Sequence, residues 1–197
     1  MYHINKNKSF LLSTQSVFEN DKCVIKECFV KLKTINNKIL YPKKYMKVIN
    51  RLGLSVDFDL MIIEKSVNEC VEIDETVFAI TVSPSSLRNR YFLSKLKEIF
   101  SNHIGIRKKI MFILNETEYY SQIDRYKNTI DFLREMGILI AIDKLGSNHT
   151  SFLYLRDLNI DVVRFDSYYA KNIKNKSIVD GFNIMAHEKN VKTWIKN

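Results

Sequence analysis

The sequence predicts an α/β fold built largely from parallel strands, and three observations carry that expectation. From Val77 onward, apolar runs of strand length alternate with stretches whose apolar residues recur at helical spacing. Two of the runs, residues 138–142 and 162–165, are nearly continuous in apolar residues, the pattern of strands covered on both faces. Both lead into an acid, Asp143 and Asp166. That places carboxylates at the C-terminal ends of adjacent strands, where α/β proteins assemble their sites.

The elements follow in order. Residues 10–18 read as a strand and 23–32 as a second, joined by the polar turn Glu19-Asn20-Asp21-Lys22, so an antiparallel hairpin is expected. Pro42 opens a helix with Tyr45, Met46, Ile49 and Leu52 at helical spacing. Ser55 is the expected N-cap of the next helix, which carries Leu60, Ile63 and Val67 on one face. A strand follows at 77–82, then a helix at 91–100 with Leu93, Leu96 and Phe100 inward. Residues 110–114 form a strand, and Ile123, Tyr126, Ile130 and Leu133 stripe another helix. After the strand at 138–142, Gly146, Ser147 and Asn148 make a loop. Phe152, Leu153, Leu155 and Leu158 give a short amphipathic turn before the strand at 162–165. A helix at 177–188 and a final run at 191–195 complete seven strands.

At 197 residues and 46% hydrophobic content, one domain spanning 1–197 is expected. Five glycines and two prolines leave little room for linkers. No apolar run approaches the ~20 residues that span a bilayer, and MYHINKNKSF lacks the apolar core of a secretory leader. The three cysteines, Cys23, Cys28 and Cys70, show neither metal spacing nor an even count. Free thiols and a cytoplasmic location are the expectation. The formal net charge is +9, yet the cations scatter over expected solvent faces, with small clusters at Lys43-Lys44 and Arg107-Lys108-Lys109. No nucleic-acid-binding motif accompanies them, so nucleic acid is not the expected partner.

A series of short motifs runs through the chain. They are Glu27-Cys28-Phe29-Val30-Lys31; Pro42-Lys43-Lys44-Tyr45-Met46; Gly53-Leu54-Ser55; Ile80-Thr81-Val82-Ser83 with Leu87; and Asn115-Glu116-Thr117-Glu118. Asp143-Lys144-Leu145-Gly146 follows, then the loop Ser147-Asn148-His149-Thr150-Ser151-Phe152, and last Arg164-Phe165-Asp166. In this order they resemble the bacterial EAL domains, phosphodiesterases for cyclic di-GMP. There the same places read Glu-Ala-Leu followed by Leu and Arg; Pro-x-x-Phe-Ile; Gly-Leu-Ile; Val-Asn-Leu-Ser; Glu-Leu-Thr-Glu; Asp-Asp-Phe-Gly with Thr-Gly-Tyr-Ser-Ser-Leu; and Lys-Ile-Asp. The resemblance covers nearly the whole chain and implies a TIM-barrel-like fold whose first strand is antiparallel, which suits the hairpin. The sequence given ends Lys192-Thr193-Trp194-Ile195-Lys196-Asn197, where the family continues Ala-Glu-Gly-Val-Glu. The expectation is therefore an incomplete barrel lacking the last strand. An open sheet edge leaves backbone groups unpaired, so a protein partner or a homodimer mate is expected to cover it.

Phosphodiester hydrolysis of this kind uses two hard cations held by oxygen ligands. The resemblance implies metal positions at Glu27, Thr81, Asn115, Asp143 and Lys144. Glu27 and Asp143 keep the family's carboxylates. Thr81 replaces an Asn, Asn115 a Glu, and Lys144 the second Asp, while Lys196 falls where a Glu would stand. Arg164 takes the place of a Lys that assists the attacking water, and an always-protonated guanidinium is a poor proton shuttle. An ammonium at Lys144 would repel each unit of positive charge by about 4 kcal/mol at ~4 Å and an effective dielectric near 20. Glu27, Asp143, Arg164 and Asp166 thus read as vestiges of a catalytic site, with no metal expected, or Mg²⁺ or Mn²⁺ if the site is active. Lys31 stands where the family's Arg grips a phosphate, and keeps the charge without the bidentate fork.

Structural roles compete for the same residues. Glu27 could pair with Lys144 or Arg164, and Asp166 could cap a helix beginning near Ser167. His149 reads as a solvated loop residue, His187 as polar-face, Trp194 as core or edge, and Phe152, Tyr154 and Leu155 as packing or a dimer contact. The expected function is a catalytically inactive EAL-like module for protein interaction or regulation in cyclic di-GMP signalling. The alternative is a cyclic di-GMP-binding or weakly active metal-dependent phosphodiesterase yielding pGpG.

Overall fold

A computed structural model describes residues 9–19, 22–71, 76–116, 123–146, 153–171 and 175–195. The chain divides into two compact units, Met1–Thr81 with Asn89–Ile110, and Val82–Arg88 with Met111–Asn197.

In the first unit, β1 (Phe10–Glu19) and β2 (Lys22–Lys33) form the expected antiparallel hairpin, with a register shift between Val17 and Phe18. Ile25, Cys28 and Val30 of β2 are buried. A two-residue strand not read from the sequence, β3 (Ile39–Leu40), pairs antiparallel with β2. Helix α1 (Pro42–Arg51) is fixed by Tyr45, which is buried against Phe58. The Tyr45 hydroxyl donates to the Val30 carbonyl at 2.5 Å. Helix α2 (Ser55–Val71) buries the expected Leu60, Ile63 and Val67. Ser55 differs from expectation: it lies inside the first helical turn, and its hydroxyl donates to Asn50 Oδ1 at 2.9 Å. The cause is the tight turn before it. Gly53 has φ +68° and the Leu54 amide closes onto the Ile49 carbonyl, so the helix begins one residue earlier.

Strand β4 (Val77–Thr81) pairs in parallel with β2. After α3 (Pro84–Leu87), which belongs to the second unit, α4 (Arg90–Asn102) returns to the first. Asn89 Oδ1 caps α4 by accepting from the Phe92 amide at 3.1 Å. This start turns Phe92, Leu96 and Phe100 inward. Leu93, expected inside, is half-buried. Leu96 and Phe100 are buried as expected, and Phe92 rather than Leu93 completes the stripe.

In the second unit β5 (Ile110–Asn115, from Met111 on), β6 (Leu139–Leu145), β7 (Val162–Phe165) and β8 (Lys192–Ile195) run parallel in chain order. Every residue of β7 is buried, Arg164 included, as its nearly continuous apolar run implies for a strand covered on both faces. Helix α5 (Ile123–Glu135) buries Tyr126, Ile130 and Leu133, as its stripe implied. Three helices follow: α6 (Leu153–Asp157), α7 (Ser167–Lys171) and α8 (Lys176–Glu188). Phe165 packs edge-on against Phe182 of α8 at 5.3 Å. Tyr154 and Leu155 are buried, His187 is exposed and Trp194 half-buried. His149, Phe152, Thr117, Glu118 and Lys196 lie outside the described residues.

Candidate functional site

The second unit gathers its polar groups at the C-terminal ends of the strands. Asn115 ends β5 and stands in register with Asp143 of β6. Between β6 and β7 the register slips: Ile142 faces Val163 and Leu145 faces Phe165. Two residues of β6, Asp143 and Lys144, therefore oppose the single residue Arg164, which is the arithmetic of a β-bulge. Lys144 absorbs the extra residue in the left-handed region, at φ +58°. The bulge sorts the two side chains. Asp143 is buried and Lys144 is exposed.

Asp143 meets the guanidinium of Arg164 with both oxygens. Arg164 Nε donates to Oδ1 at 3.1 Å and Nη2 lies 3.0 Å from Oδ2. The side chains are 9% and 7% exposed, so the pair is desolvated and bidentate, the geometry that suits a guanidinium best. Lys144 was the cation expected beside Asp143; the one that grips it is Arg164.

The segment after the bulge is held from two sides. The Gly146 amide donates to Glu116 Oε2 at 2.8 Å, and Glu116 is fully buried just beyond β5. Gly146 has φ +87°, and a Cβ there would collide with the Tyr169 ring. Asp166 Oδ1 accepts from the Tyr168 amide at 2.9 Å at the start of α7, the capping role foreseen for it. In the first unit, Glu27 is half-buried on β2, in register with Gln15 of β1 and Ala79 of β4. Thr81 ends β4 and is exposed. Lys31 lies further along β2, its ammonium 5.6 Å from the Phe29 ring centroid and 5.4 Å from that of Tyr41.

Residues 3–197 match the family model of the EAL domain. The chain belongs to the EAL domain family. It is 24% identical over 177 residues to cyclic di-GMP phosphodiesterase PdeF of Escherichia coli (strain K12), covering 88% of this chain and 24% of that protein. It is 26% identical over 153 residues to cyclic di-GMP phosphodiesterase PdeA of Borreliella burgdorferi, covering 74% of this chain and 23% of that protein. The chain thus spans about a quarter of the length of these curated relatives. Its fold matches the FimX EAL domain from Pseudomonas aeruginosa bound to c-di-GMP, with a TM-score of 0.83 at 19% identity, over 96% of this chain and 80% of that one. The fold is accordingly the EAL type, a mixed α/β sheet with parallel strands consistent with a TIM-barrel-like architecture.

EAL phosphodiester chemistry depends on divalent metal, so the donor set can be tested against it. In the second unit Asp143 has a guanidinium across both oxygens, Asn115 brings no charge, and the exposed Lys144 brings no carboxylate. Two adjacent dications want several carboxylate oxygens turned toward them. This half of the donor set does not fit them. Among the described residues no group of three or more His, Cys, Asp or Glu side chains is placed to hold a metal ion.

Two roles escaped the reading of the sequence. Arg164 was weighed as a failed proton shuttle or a partner for Glu27, and its grip on Asp143 was not foreseen. Glu116 was quoted within a motif and given no role. Its signal was available: an acid one residue past an apolar strand and in line with a conformationally special Gly-containing loop.

Proposed function

We propose that this EAL domain serves cyclic di-GMP signalling as a regulatory or protein-interaction module without hydrolysing the nucleotide. The observation behind this reading is the buried Asp143–Arg164 pair. A metal would have to displace or compete with a guanidinium that already neutralises the carboxylate and contacts both of its oxygens. Asn115 and Lys144 deepen the deficit, since both family acids at those places are replaced. The module's place of work is the cytoplasm and its partner is a protein, a second copy of the domain included.

A second reading, metal-free binding of cyclic di-GMP, is favoured by Lys31. Its ammonium lies over the Phe29 and Tyr41 rings and presents a pre-positioned charge to a phosphate. The FimX domain of the same fold is a complex with c-di-GMP.

One experiment separates the readings. Purified protein is titrated with cyclic di-GMP by calorimetry, with and without Mg²⁺ or Mn²⁺, and the mixture is analysed for pGpG. The expected result is no pGpG under any condition. Metal-independent heat that disappears in Lys31→Ala supports the binding reading. Metal-dependent heat with release of pGpG overturns the non-hydrolytic proposal.

A further inference from the structure

The exposed surface of the first unit carries a second signal. Between Cys28 and Val56 the sequence contains no Asp or Glu, yet it holds Lys31, Lys33, Lys38, Lys43, Lys44, Lys47 and Arg51. Seven of the 31 Lys and Arg residues thus fall, with no acid among them, in one structural segment: the end of β2, its turn into β3, and α1.

Aliphatic side chains stand exposed among these cations. The turn from Thr34 to Lys38 is firmly built. The Asn37 amide donates to the Thr34 carbonyl, and the Lys38 amide to Thr34 Oγ1 at 3.0 Å. At its tip Ile35 is 90% exposed, between Lys33 and Lys38. On α1, Tyr45 is the buried anchor, and Tyr41, Val48 and Leu52, at helical spacing along the edge of the same stripe, are exposed. Val48 is 47% exposed and Leu52 63%. Leu54 extends the apolar flank past the helix end, and Lys43, Lys44, Lys47 and Arg51 occupy the neighbouring arc. Single exposed aliphatics are ordinary. An aliphatic row beside an acid-free basic arc, with a rigid turn lifting an isoleucine into solvent, is the arrangement of an interfacial surface.

We propose that this face docks on an anionic lipid bilayer. Lysine and arginine heads engage the headgroup phosphates while Ile35, Val48 and Leu52 enter the acyl boundary. The charge argues against a second copy of the chain, because two such faces would repel. Nucleic acid would leave the aliphatic row without a role, since bases stack on aromatic rings and Tyr41, the one exposed ring of this segment among the described residues, lies under Lys31.

The test is co-sedimentation of the whole chain with vesicles of phosphatidylcholine alone or mixed with phosphatidylglycerol, across a salt series. The expected result is sedimentation with the anionic vesicles and none with the neutral ones. Lys43→Gln/Lys44→Gln/Lys47→Gln is expected to lose about tenfold or more in partition. Ile35→Ser/Leu52→Ser is expected to lose the fraction that survives raised salt. All five positions are exposed, and circular dichroism matching the parent confirms that the variants fold. No sedimentation with anionic vesicles at low salt overturns the proposal. So does binding by Ile35→Ser/Leu52→Ser that equals the parent at every salt, or binding to duplex DNA or polyglutamate as tight as to the vesicles.

Discussion

Arg164 and Asp143 form a pair whose value depends on both members. Removing one partner of a buried ion pair leaves the other charge desolvated and uncompensated, at a cost of about 3–5 kcal/mol. Arg164→Ala is therefore expected to lower stability by about that amount in urea titrations. Asp143→Leu/Arg164→Met, which removes both charges, is expected to recover most of it. If the double variant is as unstable as the single one, the pair is not the source of the loss. Gly146 makes a second residue-scale prediction. Its left-handed backbone and the Tyr169 ring beside it leave no place for a methyl group. Gly146→Ala is expected to cost about 1–3 kcal/mol from backbone strain, with the ring contact adding to it. Thermal melts of Gly146→Ala and Gly146→Ala/Tyr169→Ala separate the two contributions, since only the contact is relieved in the second.

At the scale of elements, apolar periodicity identified what long-range packing then kept. All seven strands read from the sequence are present, and the stripe Tyr126, Ile130 and Leu133 is buried as expected. Periodicity is blind to phase and to very short pairings. Cap chemistry at Asn89 brings Phe92 rather than Leu93 to the start of the α4 stripe, and β3 is two residues long, too short to carry a period. Asn89→Ala is expected to destabilise by about 1 kcal/mol through loss of that cap, and Asn89→Asp to restore most of it. The candidate site was legible only as an inventory of residues. The replacements at Thr81, Asn115 and Lys144 were visible in the sequence, but which cation reaches Asp143 depends on a bulge between β6 and β7. No local pattern encodes that register shift, because it is settled by pairing between strands distant in sequence.

At the scale of the whole molecule, the thiols report on global unfolding. Burial pushes the Cys28 thiol up to about 11 from an ordinary value of 9.0, and raises Cys70 in the same direction. The folded chain keeps these protons at pH values where the unfolded chain releases them. Stability is thus full below about pH 9 and falls as pH rises toward 11, by about 2 kcal/mol from Cys28. Cys28→Val is expected to flatten this alkaline slope in denaturant melts without abolishing it, since Cys70 still contributes. Cys23 is half-buried whereas Cys28 and Cys70 are buried. Thiol labelling under native conditions is expected to modify Cys23 first, the other two only at the rate of opening.

The bulge at Asp143-Lys144 also orders any path of reversal. Because Lys144 is exposed, an acid restored there adds a solvated carboxylate, while Arg164 keeps its hold on the buried Asp143. A change at 144 alone leaves Asp143 neutralised, so freeing that carboxylate for another ligand runs through position 164.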